Sequence, residues 1–216
     1  MPHALILGAS RGLGLGLARE LVQRGWSVTG TIRKEADRAA LEQAGATVAT
    51  ADITDPASIA ALAQGAPIDL LFVNAGISEP AGLDTIDEAG ISHLFMTNAV
   101  APVRAALALR DRLAPDGMVA FMSSRLGSVA LATTESLAMY RASKAALNSL
   151  TRAMMGRFGD RPVLSFHPGW VVTDMGGSGA DLTIETSVKG ITDVIQTHRH
   201  TKGSAFVDYS GATLPW

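Results

Sequence analysis

The chain has 216 residues, 47% of them apolar, and sets 18 Lys and Arg against 20 Asp and Glu. That length holds one sizeable core and predicts a single domain over residues 1–216, while the near balance of charge excludes a field strong enough to recruit nucleic acid or a membrane surface. No cysteine occurs, which excludes disulfides, thiolate nucleophiles and thiolate metal sites and fits a reducing, cytoplasmic setting.

Taken in chain order, the opening MPHALILGAS has no basic lead-in to its short apolar run, so no signal peptide is expected. Short apolar runs then alternate with longer segments of helical period, the pattern of βαβ units in a parallel sheet covered on both faces. The predicted strands are Ala4 to Leu7, Ser27 to Ile32, Thr47 to Thr50, Leu70 to Val73, Met118 to Met122, Val163 to Phe166 and Ala205 to Val207. The predicted helices, with apolar residues three and four apart, are Leu13 to Arg24, Ile86 to Leu113, Met139 to Arg157 and Ile184 to His198. Right-handed crossovers turn this into an α/β fold of the Rossmann type, a doubly wound parallel sheet with helices on both faces. No apolar run reaches the roughly 18 residues of a membrane span, and Gly176 to Gly179 reads as a loop within the domain.

Where the first strand ends, Gly8-Ala9-Ser10-Arg11-Gly12-Leu13-Gly14 opens directly into a helix. Glycines there permit a tight turn and let the main chain approach a pyrophosphate, and the helix N-terminus aims N–H groups and a positive dipole at it. A bare glycine pattern is as readily an ordinary turn; its place at the first strand-to-helix junction of an alternating chain is what points to a dinucleotide. After the second strand, Arg33 and Lys34 stand where an NAD enzyme carries an acid. Arg33, with Arg11, suits a 2′-phosphate that a carboxylate would repel, which predicts NADP(H) rather than NAD(H), against the plainer reading of solvated loop charges. Asp52-Ile53 is placed to meet the adenine, and Asn74-Ala75-Gly76 follows the fourth strand; either also reads as turn chemistry.

The chemical end is carried by Tyr140-Arg141-Ala142-Ser143-Lys144, because residues four apart share a helical face and put phenol beside ammonium. A free phenol titrates near ~10, and a neighbouring cation is expected to lower that value, so that Tyr140 serves as general acid toward a carbonyl oxygen or as base toward an alcohol. The pattern alone is weak, since any amphipathic helix can contain it. Upstream, Ser123-Ser124 ends the fifth strand, and a serine there can donate to the substrate oxygen or simply bond its own backbone. Either serine is available to point inward. Serine-hydrolase chemistry lacks its G-x-S-x-G.

Together these residues resemble a short-chain dehydrogenase/reductase. The resemblance is carried by GASRGLG from Gly8, DI at Asp52, NAG at Asn74, Asn98, the strand end at Ser124, YRASK from Tyr140 and HPGWVVTDMGG from His167, in the family's order over nearly the whole chain. Within the family, SSRLGS from Ser123 and the ending LPW at Trp216 are similar to the C-factor-like group that includes sniffer-type carbonyl reductases. The resemblance implies a catalytic tetrad of Asn98, Ser124, Tyr140 and Lys144, with Asn98 holding a relay water and Lys144 also binding the nicotinamide ribose. It further implies that Pro168, Gly169, Val171 and Thr173 clamp the nicotinamide carboxamide and the pyrophosphate, and that the chain forms a homodimer or homotetramer. Leu7 and Val73 depart from the family's Thr and Asn, and Ser124 lies further ahead of Tyr140 than is commonest. The stretch from Asp174 to Leu182 is short, which predicts a small substrate lid and an open pocket.

His198, His200 and Asp193 lack the spacing of a metal site and read as solvated charge, so no metal is expected. Met118, Met122, Met139, Met154 and Met155 read as core fillers and Trp170 as packing beneath its loop. The expected activity is NADP(H)-linked reduction of a small carbonyl compound; the alternative is a nucleotide-binding regulator that keeps the fold with little turnover.

Overall fold

The computed structural model describes residues 1–78 and 82–216. All seven predicted strands form, as β1 (His3–Leu7), β2 (Ser27–Ile32), β3 (Thr47–Thr50), β4 (Ile68–Val73), β5 (Leu113–Met122), β6 (Val163–His167) and β7 (Ser204–Asp208). They lie in one parallel sheet ordered β3-β2-β1-β4-β5-β6-β7. The flanking helices are α1 (Gly12–Gln23), α2 (Arg38–Gln43), α3 (Pro56–Ala61), α4 (Glu88–Phe95), α5 (Ala101–Ala108), α6 (Ala138–Met154) and α7 (Ile184–His198).

Strand β1 shows why the apolar runs are continuous rather than alternating. Ala4 and Ile6 enter a core layer with Leu17 and Leu21 of α1 and Ile191 and Ile195 of α7. Leu5 and Leu7 enter a second layer with Val103 of α5 and Leu147 of α6. Both faces of the strand are covered, so Ala4 to Leu7 are apolar without a break, and each Leu or Ile there stabilises the fold by about 1.5–3 kcal/mol. After β3 the chain crosses back and lays β4 on the other side of β1. That reversal opens a crevice at the carboxyl ends of β1 and β4, where open α/β sheets bind ligands.

The long helix predicted over Ile86 to Leu113 is not continuous. Helix α4 gives way to a wider π-helical turn over Met96–Val100, α5 follows, and Leu113 already belongs to β5, which begins ahead of the predicted Met118. Two residues explain the break. Pro102 has no N–H to give the carbonyl of Asn98 four residues back, and the buried Asn98 side chain is drawn out of register by bonds to the backbone of Ile77 at 2.8 Å. Helix α6 likewise ends at Met154, before the predicted Arg157, in a turn of 3₁₀ helix. Helices α2 and α3 were not predicted, being too short for a helical period, although Asp55 with Pro56 signals the start of α3: its carboxylate accepts from the N–H groups of Ala57 and Ser58. No helix among the described residues is long and apolar enough to cross a membrane.

Candidate active site

The glycine loop closes the crevice at the end of β1. A Cβ built on Gly14 would stand 2.1 Å from the Gly8 carbonyl oxygen, so the first turn of α1 can draw up to the loop only without a side chain there. Asn74 Nδ2 donates to that same carbonyl at 2.7 Å, and the N–H groups of Asn74 and Ala75 donate to Leu7 O, which binds the β4 end to the loop. Arg11, at the N-cap of α1, offers no side-chain cap. The first-turn N–H groups of Gly12, Leu13 and Gly14 therefore keep their capacity for an anion, and Ser10 stands just ahead of them. This uncapped turn beside a cradle that a Cβ would fill fits a pyrophosphate.

The flanks follow the predicted order. Arg33 is exposed at the end of β2 and, with the Thr54 hydroxyl and N–H bonds, helps hold the Asp52 carboxyl below its ordinary range; the Thr54 bonds are the larger cause. Ile53 follows, half-buried. Arg11 pairs instead with Asp174, on the loop after β6, and Thr173 of that loop lies against Gly12, its methyl 3.8 Å from where a Cβ would stand. The loop is self-braced: Pro168 O accepts from Ser187 Oγ at 2.6 Å, and Val171 pairs with Leu182. Gly169 begins it with a φ of 85°. Trp170 does not pack beneath the loop as expected. It is exposed, with its indole N–H spent on Gly176 O at 2.8 Å.

Across the crevice, α6 brings the chemical residues to the ends of β4 and β5. The Tyr140 hydroxyl faces Ser124, and Lys144 Nζ lies 5.8 Å from the Tyr140 ring centre and donates to Met122 O at 2.9 Å. A Cβ on Gly76 would stand 3.3 Å from both Lys144 Nζ and Asn98 Oδ1, which places both groups beside the loop that follows β4. Of the two serines, Ser123 is spent: its Oγ donates to Asn148 Oδ1 at 2.7 Å, leaving Ser124 to face the tyrosine.

One expectation is corrected. Burial pushes the Tyr140 phenol up to about 12, with the Ser124 bond working the other way, so the net shift is upward and not the predicted lowering by a cation. Lys144, fully enclosed, is itself pushed down to about 8 by loss of solvent. The Asn98 amide bonds within the protein: its oxygen accepts from Ile77 N, and its nitrogen donates to Ile77 O and to Ser143 Oγ at 3.0 Å. Pro102 leaves the Asn98 carbonyl without its α-helical donor. Ser143 and Asn148, which the sequence reading passed over, are buried polar residues on the inward face of α6, and only their spacing from Lys144 could have marked them.

The match to known proteins covers the same ground. The model of the short chain dehydrogenase family matches residues 2–181. The C-signal protein of Myxococcus xanthus is 38% identical over 157 residues, spanning 69% of this chain and 93% of that one. A carbonyl reductase of Pseudomonas aeruginosa, solved in complex with NADP, is 40% identical and superposes over 100% of both chains with a TM-score of 0.90. The carbonyl reductase Sniffer of D. melanogaster is 29% identical over 100% of both chains, with a TM-score of 0.87. With its glycine loop, its tyrosine–lysine helix and this family match in agreement, the chain belongs to the short-chain dehydrogenase/reductase family.

Proposed function

We propose that the protein is an NADP(H)-dependent reductase of small carbonyl compounds, acting through Asn98, Ser124, Tyr140 and Lys144. The observation that carries this reading is the junction at the crevice floor, where Tyr140 faces Ser124 and Lys144 Nζ lies 5.8 Å from the Tyr140 ring centre. NADP(H) is the cofactor. Gly8, Ser10, Gly12, Leu13 and Gly14 cradle its pyrophosphate, Arg33 and Arg11 read the 2′-phosphate, Asp52 and Ile53 border the adenine, and Asn74, Ala75 and Gly76 line the β4 side. Pro168, Gly169, Val171 and Thr173 close on the nicotinamide end, and Lys144 also holds the ribose.

When bound, the nicotinamide supplies the hydride. The protein does the rest. Ser124 donates to the carbonyl oxygen and steadies the charge that develops there. Tyr140 gives its proton to that oxygen, and a phenol held near 12 stays protonated at neutral pH, which suits the reducing direction. Lys144 hands on the replacement proton, which reaches it from solvent water, and Asn98 stands beside it at Gly76. The Pseudomonas neighbour, a carbonyl reductase with NADP bound, supports this reading.

The C-signal relative favours a second reading, a regulator that keeps the cofactor site with little turnover. Titration with NADPH and NADH, followed by NADPH oxidation against aldehydes, ketones and quinones with Tyr140→Phe as control, separates the two. Turnover that needs Tyr140 supports the reductase, binding without turnover supports the regulator, and no binding removes both.

A further inference from the structure

Leu137 breaks three local rules at once. Its φ is 55°, the only positive value at a non-glycine among the described residues, and a bulky side chain is disfavoured there. It is the N-cap of α6, where Ser, Thr, Asp, Asn or Gly would satisfy a helix N–H and Leu offers nothing. It is also 46% exposed, an apolar side chain left in water. Such a residue persists only where its surroundings impose the conformation. Here Arg141 does so: its guanidinium holds Ser136 O at 2.7 Å and Thr134 Oγ1 at 3.0 Å, pinning the approach, while its N–H donates to Leu137 O at 2.8 Å.

The place is as informative as the strain. Leu137 stands one helical turn ahead of Tyr140, on the loop whose extra length separates Ser124 from Tyr140. Other exposed large apolar residues sit on loops that leave the same edge of the sheet: Val129 after β5, and Trp170, Val172 and Met175 after β6. Local rules are broken at functional positions when another interaction compensates, and the described residues leave the Leu137 side chain 46% exposed.

We propose that Leu137 is a specificity-determining residue, the apolar wall against which a bulky aryl or long alkyl substituent of the carbonyl substrate packs. The inference rests on the reductase reading. Leu137 is three residues ahead of Tyr140 at the start of α6, which keeps it within one helical turn of the site, and Val129 and Trp170 add exposed apolar surface on loops at the same edge of the sheet. Local physics alone would place Gly or Asn at 137, so the residue now there lowers stability in favour of binding.

The test measures NADPH oxidation by the full chain with a series of aldehydes from propanal to decanal and 1-naphthaldehyde, for Leu137→Gly and Leu137→Met, together with melting temperature and mass in solution. The expected result is that Leu137→Gly melts at the same temperature or higher, relieved of strain, yet its kcat/KM preference for the bulky aldehydes over propanal falls about tenfold or more. Leu137→Met, still apolar, keeps the preference. An unchanged preference in Leu137→Gly overturns the proposal. So does a lower melting temperature with equal loss on every aldehyde, which makes Leu137 structural, or a dimer that Leu137→Gly converts to monomer, which makes a second copy its cover. Absence of turnover by the unsubstituted protein is a different failure, that of the reductase reading, and takes this inference with it.

Discussion

Ser123 gives its hydroxyl proton to Asn148 across the gap between β5 and α6, 2.7 Å from oxygen to oxygen, and Asn148 passes its own N–H to Gly127 O at 3.2 Å. Gly127 ends the short turn that Ser124 begins, and a Cβ on it would come within 2.8–2.9 Å of the Lys144 main chain and Cβ. One asparagine thereby ties down the turn that aims Ser124 at Tyr140. The two adjacent serines are similar in sequence and opposite in use, one a buried structural donor and the other the hydroxyl at the tyrosine.

That difference makes opposite phenotypes. Ser124→Ala is expected to lower kcat by about 10²–10³, the usual cost of one donor to a developing oxyanion, with little change in melting temperature. Ser123→Ala leaves Asn148 Oδ1 buried without a donor and is expected to lower stability by about 1–3 kcal/mol while keeping most of the turnover. Denaturant unfolding and steady-state kinetics on both variants check this, and a reversed pattern would show that Ser123 is the hydroxyl that serves the substrate.

Lys144 carries a stability cost with a defined pH window. Its ammonium, ordinarily near 10.5, is pushed down to about 8 in the fold by burial, so between those values the unfolded chain holds the extra proton and stability rises with pH. Below 8 the cost of the buried charge is present in full, on the order of 3 kcal/mol less what the bond to Met122 O returns. Lys144→Met is therefore expected to melt above the unsubstituted protein at pH 7, to lose that advantage between pH 8 and 10.5, and to be inactive throughout. Thermal melts across that range test it; an advantage that does not fade as pH rises would remove the buried charge as its cause.

How much of this could be read from the sequence depends on whether the information is local. The apolar runs of β1, β4 and β5 mark themselves because strands covered on both faces admit nothing else, and the glycine loop marks itself because Gly14 has no room for a Cβ. The helix break at Asn98 was hidden because its cause is distant: the amide reaches the backbone of Ile77, 21 residues away in the chain. The choice between Ser123 and Ser124 was hidden for the same reason, since Asn148 decides it from another element. The raised Tyr140 phenol depends on burial, which the motif does not encode, and on Lys144 turning its Nζ to Met122 O.

His167 ends β6 with its Nδ1 buried and without a partner among the described residues, and it is pushed down to about 4, first by burial and then by Arg125, against the pull of Asp208. Its ordinary value is 6.5, so between 6.5 and 4 the unfolded chain binds the proton more readily; the stability associated with the neutral ring is full above 6.5 and is lost as pH falls through that window. His167→Asn, which does not titrate, is expected to lose on the order of 2–3 kcal/mol less than the unsubstituted protein between pH 7 and pH 4.5. Urea midpoints at both pH values measure the difference, and parallel losses in the two proteins would refute it.

Cofactor selectivity should divide unequally between two arginines. Arg33 stands exposed at the end of β2 beside Asp52, while Arg11 is already paired with Asp174 from the loop after β6. A guanidinium that faces solvent meets a 2′-phosphate at no prior cost, whereas one held by a carboxylate must first leave it. Arg33→Asp is therefore expected to weaken NADPH binding on the order of 100-fold, from the lost pair and the new repulsion, while leaving NADH within a few-fold. Asp174→Asn, which releases Arg11, should tighten NADPH by no more than about fivefold, because a solvent-exposed ion pair holds weakly, and that gain should vanish as salt screens the phosphate. Fluorescence titration with both cofactors at low and high salt measures all four quantities. If Asp174→Asn tightened NADH as much as NADPH, the Arg11 pair would be a strap across the pyrophosphate and no part of the 2′-phosphate site.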